Sequence, residues 1–326
     1  MATTVYEKKK CLYSGPFCDI YSATDGNNKP VALKVVDLDF LQKPHNFRQE
    51  IRLLRRLKHP GVVEFLDEYK SGEDFVLVMP LYAGDLVSVM ESHKRKRVRF
   101  NLADPTANTI TEKNELPLGD CRKIVASLLE SIKYVHSQGI IHRDIKPANI
   151  MFSSLEDLSA PVLGDFGIAY DTTTESVSEP SHEKISDIGS GYYRAPELCF
   201  GVSDYGYEVD LWAMGIVISY LYSSDGKPAN YYKEPGMGHG AELNDLALIQ
   251  GTFNAFGTPD AFNSESPYYW PRLADPDCHF TAFNYAKQER KPIDKLLPRC
   301  DDAEVTRVFE WLTKYHGREL HLLSKK

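Results

Sequence analysis

Asp144, Lys146 and Asn149 fall close together in a run bracketed by apolar residues, Ile140-Ile141-His142-Arg143-Asp144-Ile145-Lys146-Pro147-Ala148-Asn149-Ile150-Met151-Phe152. Apolar flanks anchor such a loop, so its polar side chains are presented rather than buried, and Pro147 keeps it from becoming helix. Asp144 can accept a proton from a hydroxyl. Lys146, two residues on, can neutralise a phosphate beside that hydroxyl. Asn149 offers a side-chain oxygen to a hard cation such as Mg²⁺. A carboxylate, an ammonium and a metal ligand at this spacing suit phosphoryl transfer, where positioning and charge neutralisation supply most of the catalysis.

Elements on both sides must hold these groups. From Leu118 to Gln138, Ile124, Leu128, Leu129, Ile132 and Val135 recur at helical spacing, and Gly139 ends that helix at the loop. Downstream, the apolar pair Val162-Leu163 reads as a strand that delivers Asp165-Phe166-Gly167, 21 residues after Asp144. Upstream, residues 11–36 read as strands and include Val31-Ala32-Leu33-Lys34. A helix follows with Phe47, Ile51, Leu54 and Leu57 on one stripe, and Glu50 one residue off it. Phe75-Val76-Leu77-Val78-Met79 reads as a buried strand, residues 223–241 as a loop, and Leu246–Phe253 and Val308–Leu312 as helices.

Composition narrows the classes. With 326 residues and 42% hydrophobic residues, the chain suits a two-lobed body with a sizeable core. A net charge of −8 argues against nucleic-acid binding over the whole surface. The six cysteines show no metal-ligand spacing, which suits reduced thiols in the cytoplasm or nucleus. No apolar leader opens the sequence, and no uncharged run is long enough to span a bilayer, so no membrane partner is expected. The basic run His93-Lys94-Arg95-Lys96-Arg97-Val98-Arg99 opens a polar insertion, read as a solvated face or as a nuclear-import or acidic-partner patch.

The loop around Asp144 resembles the protein-kinase catalytic loop, H-R-D-x-x-x-x-N. Further marks of that family follow in order: Val31–Lys34 for V-A-I-K, Asp165-Phe166-Gly167 for D-F-G, Ala195-Pro196-Glu197, and Asp210-Leu211-Trp212-Ala213-Met214-Gly215. The resemblance covers roughly residues 11–318 and implies an α+β, bilobal protein-kinase fold. Residues 1–10 would be an N-terminal extension, 11–82 the small β-rich lobe and hinge, and 83–326 the larger helical lobe. Within the latter, 92–117 would be the basic, polar insertion and 165–197 the activation segment, with an abbreviated C-terminus.

The resemblance also implies roles. Asp144 would be the catalytic base, with Lys146 beside it, and Asn149 and Asp165 would hold Mg²⁺. Lys34, paired to Glu50, would contact the α- and β-phosphates of ATP. Met79 would stand at the gatekeeper position, Tyr82 in the hinge that receives adenine, and Asp85 on the ribose or as a helix cap. Asp210 would brace the catalytic loop, and Arg318 would pair with Glu197. Of the glycine-rich loop G-x-G-x-x-G only the middle glycine remains, as Gly15; Tyr13 and Cys18 stand at the other two places. Lys146 and Ser190 imply serine/threonine rather than tyrosine specificity.

Gly257-Thr258-Pro259-Asp260 with the later Trp270-Pro271 places the resemblance in the cyclin-dependent-kinase branch. Two departures refine it. Pro44-His45-Asn46-Phe47-Arg48-Gln49-Glu50 stands where those kinases carry the cyclin-reading P-S-T-A-I-R-E, and Ile185 stands at the activating phosphothreonine. With the altered glycine loop, this is similar to the fungal single-subunit kinases that activate cyclin-dependent kinases. It implies a protein substrate that is itself a cyclin-dependent kinase, and activity as a monomer without cyclin. Asp187, Glu183 or solvent would then satisfy Arg143. A conventional cyclin-dependent kinase and a pseudokinase scaffold are the rival readings.

Overall fold

The chain is described from a computed structural model, in residues 6–99, 109–174, 179–232, 244–282 and 284–318. Five strands build the N-terminal lobe: β1 (Glu7–Ser14), β2 (Asp19–Thr24), β3 (Pro30–Val36), β4 (Asp67–Ser71) and β5 (Asp74–Pro80). They form one antiparallel sheet in the order β1-β2-β3-β5-β4. Alternation along β3 buries Val31, Leu33 and Val35 on one face with Ala23, Val76 and Val78. It sends Lys34 to the other face, toward the second lobe.

That face is covered by α1 (Phe47–Arg56), whose Phe47, Ile51 and Leu54 bury against Val36 and Leu77. Asn46 caps α1 by accepting the Gln49 N–H at 3.0 Å. Arg55 and Arg56 sit in its last turn, where cations suit the helix dipole. The sheet starts at Glu7, so residues 7–10 belong to it rather than to an extension before residue 11. Every β1 residue is exposed. A charged edge strand protects the sheet from further pairing, and the same charges hide the strand from pattern reading.

The C-terminal lobe contains β6 (Gly84–Asp85), α2 (Leu86–Ser92), β7 (Lys94–Arg99), β8 (Thr109–Asn114) and α3 (Leu118–Ser137). Then come β9 (Ile140–Ile141), β10 (Ile150–Phe152), β11 (Val162–Leu163), β12 (Tyr170–Asp171) and α4 (Pro196–Cys199). The lobe ends with α5 (Glu208–Leu221), α6 (Asp245–Phe256), α7 (Ile293–Leu296) and α8 (Ala303–Leu312). Residues 209–221 of α5 are all buried, as expected of a helix that is apolar on every side. A side chain at Gly215 would meet Thr313 at 2.8 Å and Leu312 at 3.2 Å, so glycine permits the close approach of α5 to the end of α8. The mixed α+β, two-lobed fold is the expected one. The expectation of a short final segment falls largely on 319–326, outside the described residues.

Within the polar insertion at 92–117, Lys94–Arg99 and Thr109–Asn114 form a β-hairpin stem. β7 and β8 pair antiparallel, with Lys96 opposite Glu112 and their charges 3.3 Å apart. Asn114 anchors the hairpin: its amide donates to Leu221 O at 2.9 Å and Ser223 O at 3.0 Å. A lysine- and arginine-rich strand carries little apolar alternation, and it is stabilised by cross-strand charge that a one-strand reading does not show.

Candidate active site

Two short sheets hold the loop between β9 and β10: β9 pairs with β12, and β10 pairs with β11 on one side and β6 on the other. Inside it, Asp210 at the start of α5 accepts from the His142 N–H and the Arg143 N–H, each at 2.8 Å. Burial opposes the Asp210 charge; His136, whose Nε2 lies 2.8 Å from the carboxylate, outweighs it and holds the carboxyl below its ordinary range. Arg143 has φ 73°, left-handed for a residue with a side chain, and the bond to Asp210 helps hold it there. His142 Nε2 lies 2.9 Å from Gly164 O, and its ring meets Phe166 edge-on at 4.7 Å. The bracing by Asp210 is thus as expected. His136 was not foreseen, because its link to Asp210 crosses 74 positions.

The three polar groups of the loop converge. Asn149 donates its amide to Asp144 O at 2.8 Å and to Asp144 Oδ2 at 3.0 Å. The Lys146 ammonium lies 2.7 Å from Asp144 Oδ2 and donates to Ser190 Oγ at 2.7 Å. Ser190 in turn donates to Asp144 Oδ1 at 2.7 Å. Both Asp144 oxygens therefore have partners, and the serine joins the activation segment to the loop. Such an arrangement can receive a hydroxyl at the carboxylate while a cation stands beside it.

Across the cleft, the Lys34 ammonium bridges two carboxylates. It donates to Glu50 Oε1 at 2.8 Å, to Glu50 Oε2 at 2.9 Å and to Asp165 Oδ1 at 2.8 Å. Burial opposes the Lys34 charge, but the Asp165 field and then the Glu50 field outweigh it and raise its pKa. Burial likewise opposes the Asp165 charge, and Lys34, by field and hydrogen bond, brings that carboxyl below its ordinary range. Glu50 is the exception: burial pushes it up, with Lys34 pulling the other way. Asp165 has φ 58°, another left-handed residue at the site, and Phe166 beneath it is buried. As for a divalent cation, Asn149 donates through its nitrogen and so has its amide oxygen to offer, and Asp165 has Oδ2 besides the oxygen given to Lys34. Two hard oxygens of this kind fit Mg²⁺, which takes few protein ligands.

The helix bearing Glu50 is tied to the activation segment at several points. Asn46 N donates to Gly167 O at 2.8 Å, and Gln49 Nε2 donates to Ala169 O at 2.6 Å. At the other end of α1, Arg56 lies 3.2 Å and Arg52 3.6 Å from the buried Asp171 carboxylate. Arg56 also donates to Gln138 O at 3.1 Å. None of these partners has a local sequence signature; the side-chain contacts cross from 82 to 120 positions.

Arg143 pairs with Glu179, not with Asp187 or Glu183. Its guanidinium donates to Glu179 Oε1 at 2.6 Å, and the same oxygen accepts the Ile185 N–H at 2.9 Å. The Arg143 guanidinium lies 4.6 Å from the Tyr170 ring centroid. Asp187 instead meets Arg194 at 3.2 Å, with its side chain 93% exposed. The expectation chose carboxylates near Ile185 in sequence. The segment loops back and brings in one from six positions upstream. Arg318 and Glu197 form a fully buried pair, as expected.

On the nucleotide side the agreement is looser. Met79 lies near the end of β5 opposite Ala32 and packs partly against the core. Tyr82 is half-buried, and burial, with Glu64 nearby, pushes its hydroxyl up to about 12. Asp85 caps α2: its carboxylate accepts the Ser88 N–H at 2.8 Å while Ser88 Oγ accepts the Asp85 N–H at 3.0 Å. The capping reading of Asp85 is therefore met. Between β1 and β2, the Gly15 N–H donates to Cys18 O at 3.1 Å. A Cβ on Gly15 would fall 2.3 Å from the Tyr13 hydroxyl, so Tyr13 lies over the one remaining glycine. None of residues 13–18 has a positive φ.

Residues 6–233 match the family described as the protein kinase domain. The chain is 29% identical over 310 residues to the serine/threonine-protein kinase csk1 of Schizosaccharomyces pombe, covering 94% of this chain and 88% of that one. It is 31% identical over 255 residues to the serine/threonine-protein kinase CAK1 of Saccharomyces cerevisiae, covering 70% and 68%. It is 29% identical over 259 residues to cyclin-dependent kinase D-1 of Arabidopsis thaliana, covering 78% of this chain and 55% of that relative.

Proposed function

The chain belongs to the protein kinase family, as a serine/threonine kinase of the cyclin-dependent-kinase-like branch, and we propose that it phosphorylates the activation-segment threonine of a cyclin-dependent kinase, as a monomer and without cyclin. The observation that carries the monomer reading is the set of ties on α1. Backbone and side-chain bonds from Asn46, Gln49 and Arg56 to the activation segment hold Glu50 against Lys34. In a kinase that needs a cyclin, a partner would have to supply that placement. Glu179 supplies Arg143 with the charge that a phosphothreonine would otherwise bring. The resemblance to single-subunit activating kinases supports the choice of substrate.

In the proposed reaction Asp144 orients the acceptor hydroxyl and receives its proton as the bond to phosphorus forms. Lys146 neutralises charge on the transferred group, and Ser190 keeps Lys146 and Asp144 in register. Lys34, oriented by Glu50, contacts the α- and β-phosphates of ATP. Asn149 and Asp165 would hold Mg²⁺, which supplies charge neutralisation across the phosphates. The test uses bacterially produced protein stripped of phosphate and verified by mass. Incubated with Mg-ATP and a catalytically inert cyclin-dependent kinase, without cyclin, it should place one phosphate on the substrate's activation-segment threonine. Activity that vanishes with the enzyme's own phosphate, or needs an added cyclin, overturns the monomer reading. Transfer to a generic peptide but not to the kinase substrate overturns the substrate assignment alone.

A further inference from the structure

The basic run of the insertion forms β7, and its hairpin with β8 is rooted where Asn114 bonds Leu221 O and Ser223 O. Leu221 closes α5, while Asp210, which braces the catalytic loop, stands in its first turn. At the rise of an α-helix the two are roughly 16 Å apart along the axis, so the ribbon springs from the end of α5 remote from that loop.

A strand alternates its side chains, so β7 divides its cations between two faces. Lys94 and Lys96 share a face with Glu112 and the buried Asn114. Both are engaged there: Lys94 pairs with Glu91 and lies 3.8 Å from Glu112, and Lys96 lies 3.3 Å from the same carboxylate. Arg95 and Arg97 take the opposite face, with Lys113 and Thr111 across from them. That face turns to solvent, the Arg95 side chain being 75% and the Lys113 side chain 72% exposed. Glu115 serves both, at 3.7 Å and 3.3 Å. Arg97 is exposed and has no ion pair among the described residues. Three cations thus share one carboxylate, on a chain whose total charge is −8. Among the described residues no third strand joins the ribbon, so the outer edge of β7 keeps unpaired backbone N–H and C=O groups.

We propose that β7 receives at its open edge an extended acidic segment of a protein partner, with carboxylates at alternate positions beside Arg95 and Arg97. In such strand addition the backbone bonds supply affinity and the alternate side chains supply selection. The spacing agrees: Arg95 and Arg97 lie about 6.6 Å apart along the strand, and carboxylates two residues apart in an extended partner repeat at the same interval. Arginine forks bind carboxylates through paired hydrogen bonds, and the exposed pairs with Glu115 contribute little enough to be exchanged. Other polyanions match the face less well. Arg95, Arg97, Thr111 and Lys113 include no aromatic ring on which a base would stack and no apolar side chain to enter a membrane surface. A partner that reads the basic run as a linear peptide would need Lys94 and Lys96 as well, and both are committed. Occupancy at this distance from Asp144 governs partner affinity and leaves the catalytic step alone. The inference does not depend on which hydroxyl the kinase phosphorylates.

The probe is a fluorescein-labelled peptide, Ser-Glu-Thr-Glu-Val-Glu-Thr-Glu-Ser, followed by anisotropy against the full chain. Binding should weaken about tenfold in Arg95→Gln with Arg97→Gln and about threefold in Arg97→Gln alone. Lys96→Gln removes the same charge from the other face and should stay within about twofold of the parent chain. A peptide of the same composition with its glutamates contiguous should bind about fivefold weaker, because its carboxylates no longer alternate. Of two peptides N-methylated on alternate sets of amides, the one whose methyl groups face β7 should lose binding and the other keep it. Turnover of a short uncharged acceptor peptide should be unchanged in all the variants, which also reports that they are folded. The proposal is overturned if the parent peptide does not bind, if Lys96→Gln weakens it as much as Arg97→Gln, or if the contiguous peptide binds as well, since bulk charge would then explain the result. Equal binding of the two methylated peptides, or tighter binding of a single-stranded oligonucleotide of equal charge, also overturns it.

Discussion

The loop that carries Asp144 and the loop between β1 and β2 face the same cleft, yet they are built by opposite rules. In the first, each charged group has a fixed partner: Asp144 with Lys146, Ser190 and Asn149, and the backbone with Asp210. Two of the cleft's residues, Arg143 and Asp165, are held in left-handed conformations. In the second, the conformations are ones any residue adopts, and a tyrosine covers the one glycine left. The difference separates two requirements. Proton and phosphoryl transfer need groups placed to fractions of an ångström. Covering the phosphates needs only approach, which other parts of the site can share through Lys34 and a metal ion.

The strongest test of this contrast is on the rigid side. Asp144→Asn should lower kcat by on the order of 10²-fold or more, since a positioned base is lost, while ATP affinity stays near that of the parent. Asp165→Asn should instead remove the metal dependence of nucleotide binding, read by calorimetry with and without Mg²⁺. Wild-type turnover in Asp144→Asn would mean that the proton leaves by another route.

The next largest effect should come from Glu179. Removing it leaves the Arg143 guanidinium, 1% exposed, without its counter-charge, a class of change that costs about 3–5 kcal/mol when it breaks a buried pair. Glu179→Ala should therefore loosen the activation segment, seen as faster amide exchange over 179–190, and cut kcat by on the order of tenfold. Asp187→Lys should stay within about twofold of the parent, because the Asp187 side chain is 93% exposed and its ion pair among the described residues is with Arg194. The reverse order of effects would return Arg143 to the partner its sequence neighbourhood suggests. A smaller change, Asp171→Asn, weakens the hold that Asp171 has on α1 through Arg52 and Arg56. It should lower turnover a few-fold, about 0.5–1 kcal/mol for a partly exposed pair, and added cyclin should not restore it.

How far the sequence could be read follows the same division. Lys34, Glu50, Asp144, Lys146, Asn149 and Asp165 were legible through the resemblance to the kinase motifs, each standing in a run whose flanks also suit a strand, a helix stripe or a bracketed loop. The tied residues were not. Glu179, Asp171, Gln49 and His136 act through contacts far along the chain, and a lone carboxylate or histidine carries no periodicity that would mark its partner. The first half of β1, residues 7–10, and the β7–β8 hairpin were missed for a further reason. Their charged residues are satisfied at an edge or across a ribbon, where hydrophobic alternation has no work to do.

The smallest effect concerns the relaxed side of the contrast. Tyr13→Gly with Cys18→Gly should tighten binding of a non-hydrolysable ATP analogue by about threefold. The gain has a definite source: with Tyr13 gone from over Gly15, backbone N–H groups at the loop tip can approach phosphate. A hydrogen bond to a charged group contributes about 1.5–3 kcal/mol, and ordering a loop residue costs about 1–2 kcal/mol. The two nearly cancel, which is why a few-fold change is expected rather than the hundredfold that one free bond would give. Both substitutions place glycine within or beside strands, so the melting temperature should fall, at roughly 0.5–1 kcal/mol for each site. Calorimetric titration reads the affinity and thermal melting the cost. Unchanged affinity with lowered stability would show that the loop does not contact phosphate. Weaker affinity would show that Tyr13 or Cys18 contributes to nucleotide binding directly, and that this loop is a rebuilt part of the site rather than a relaxed one.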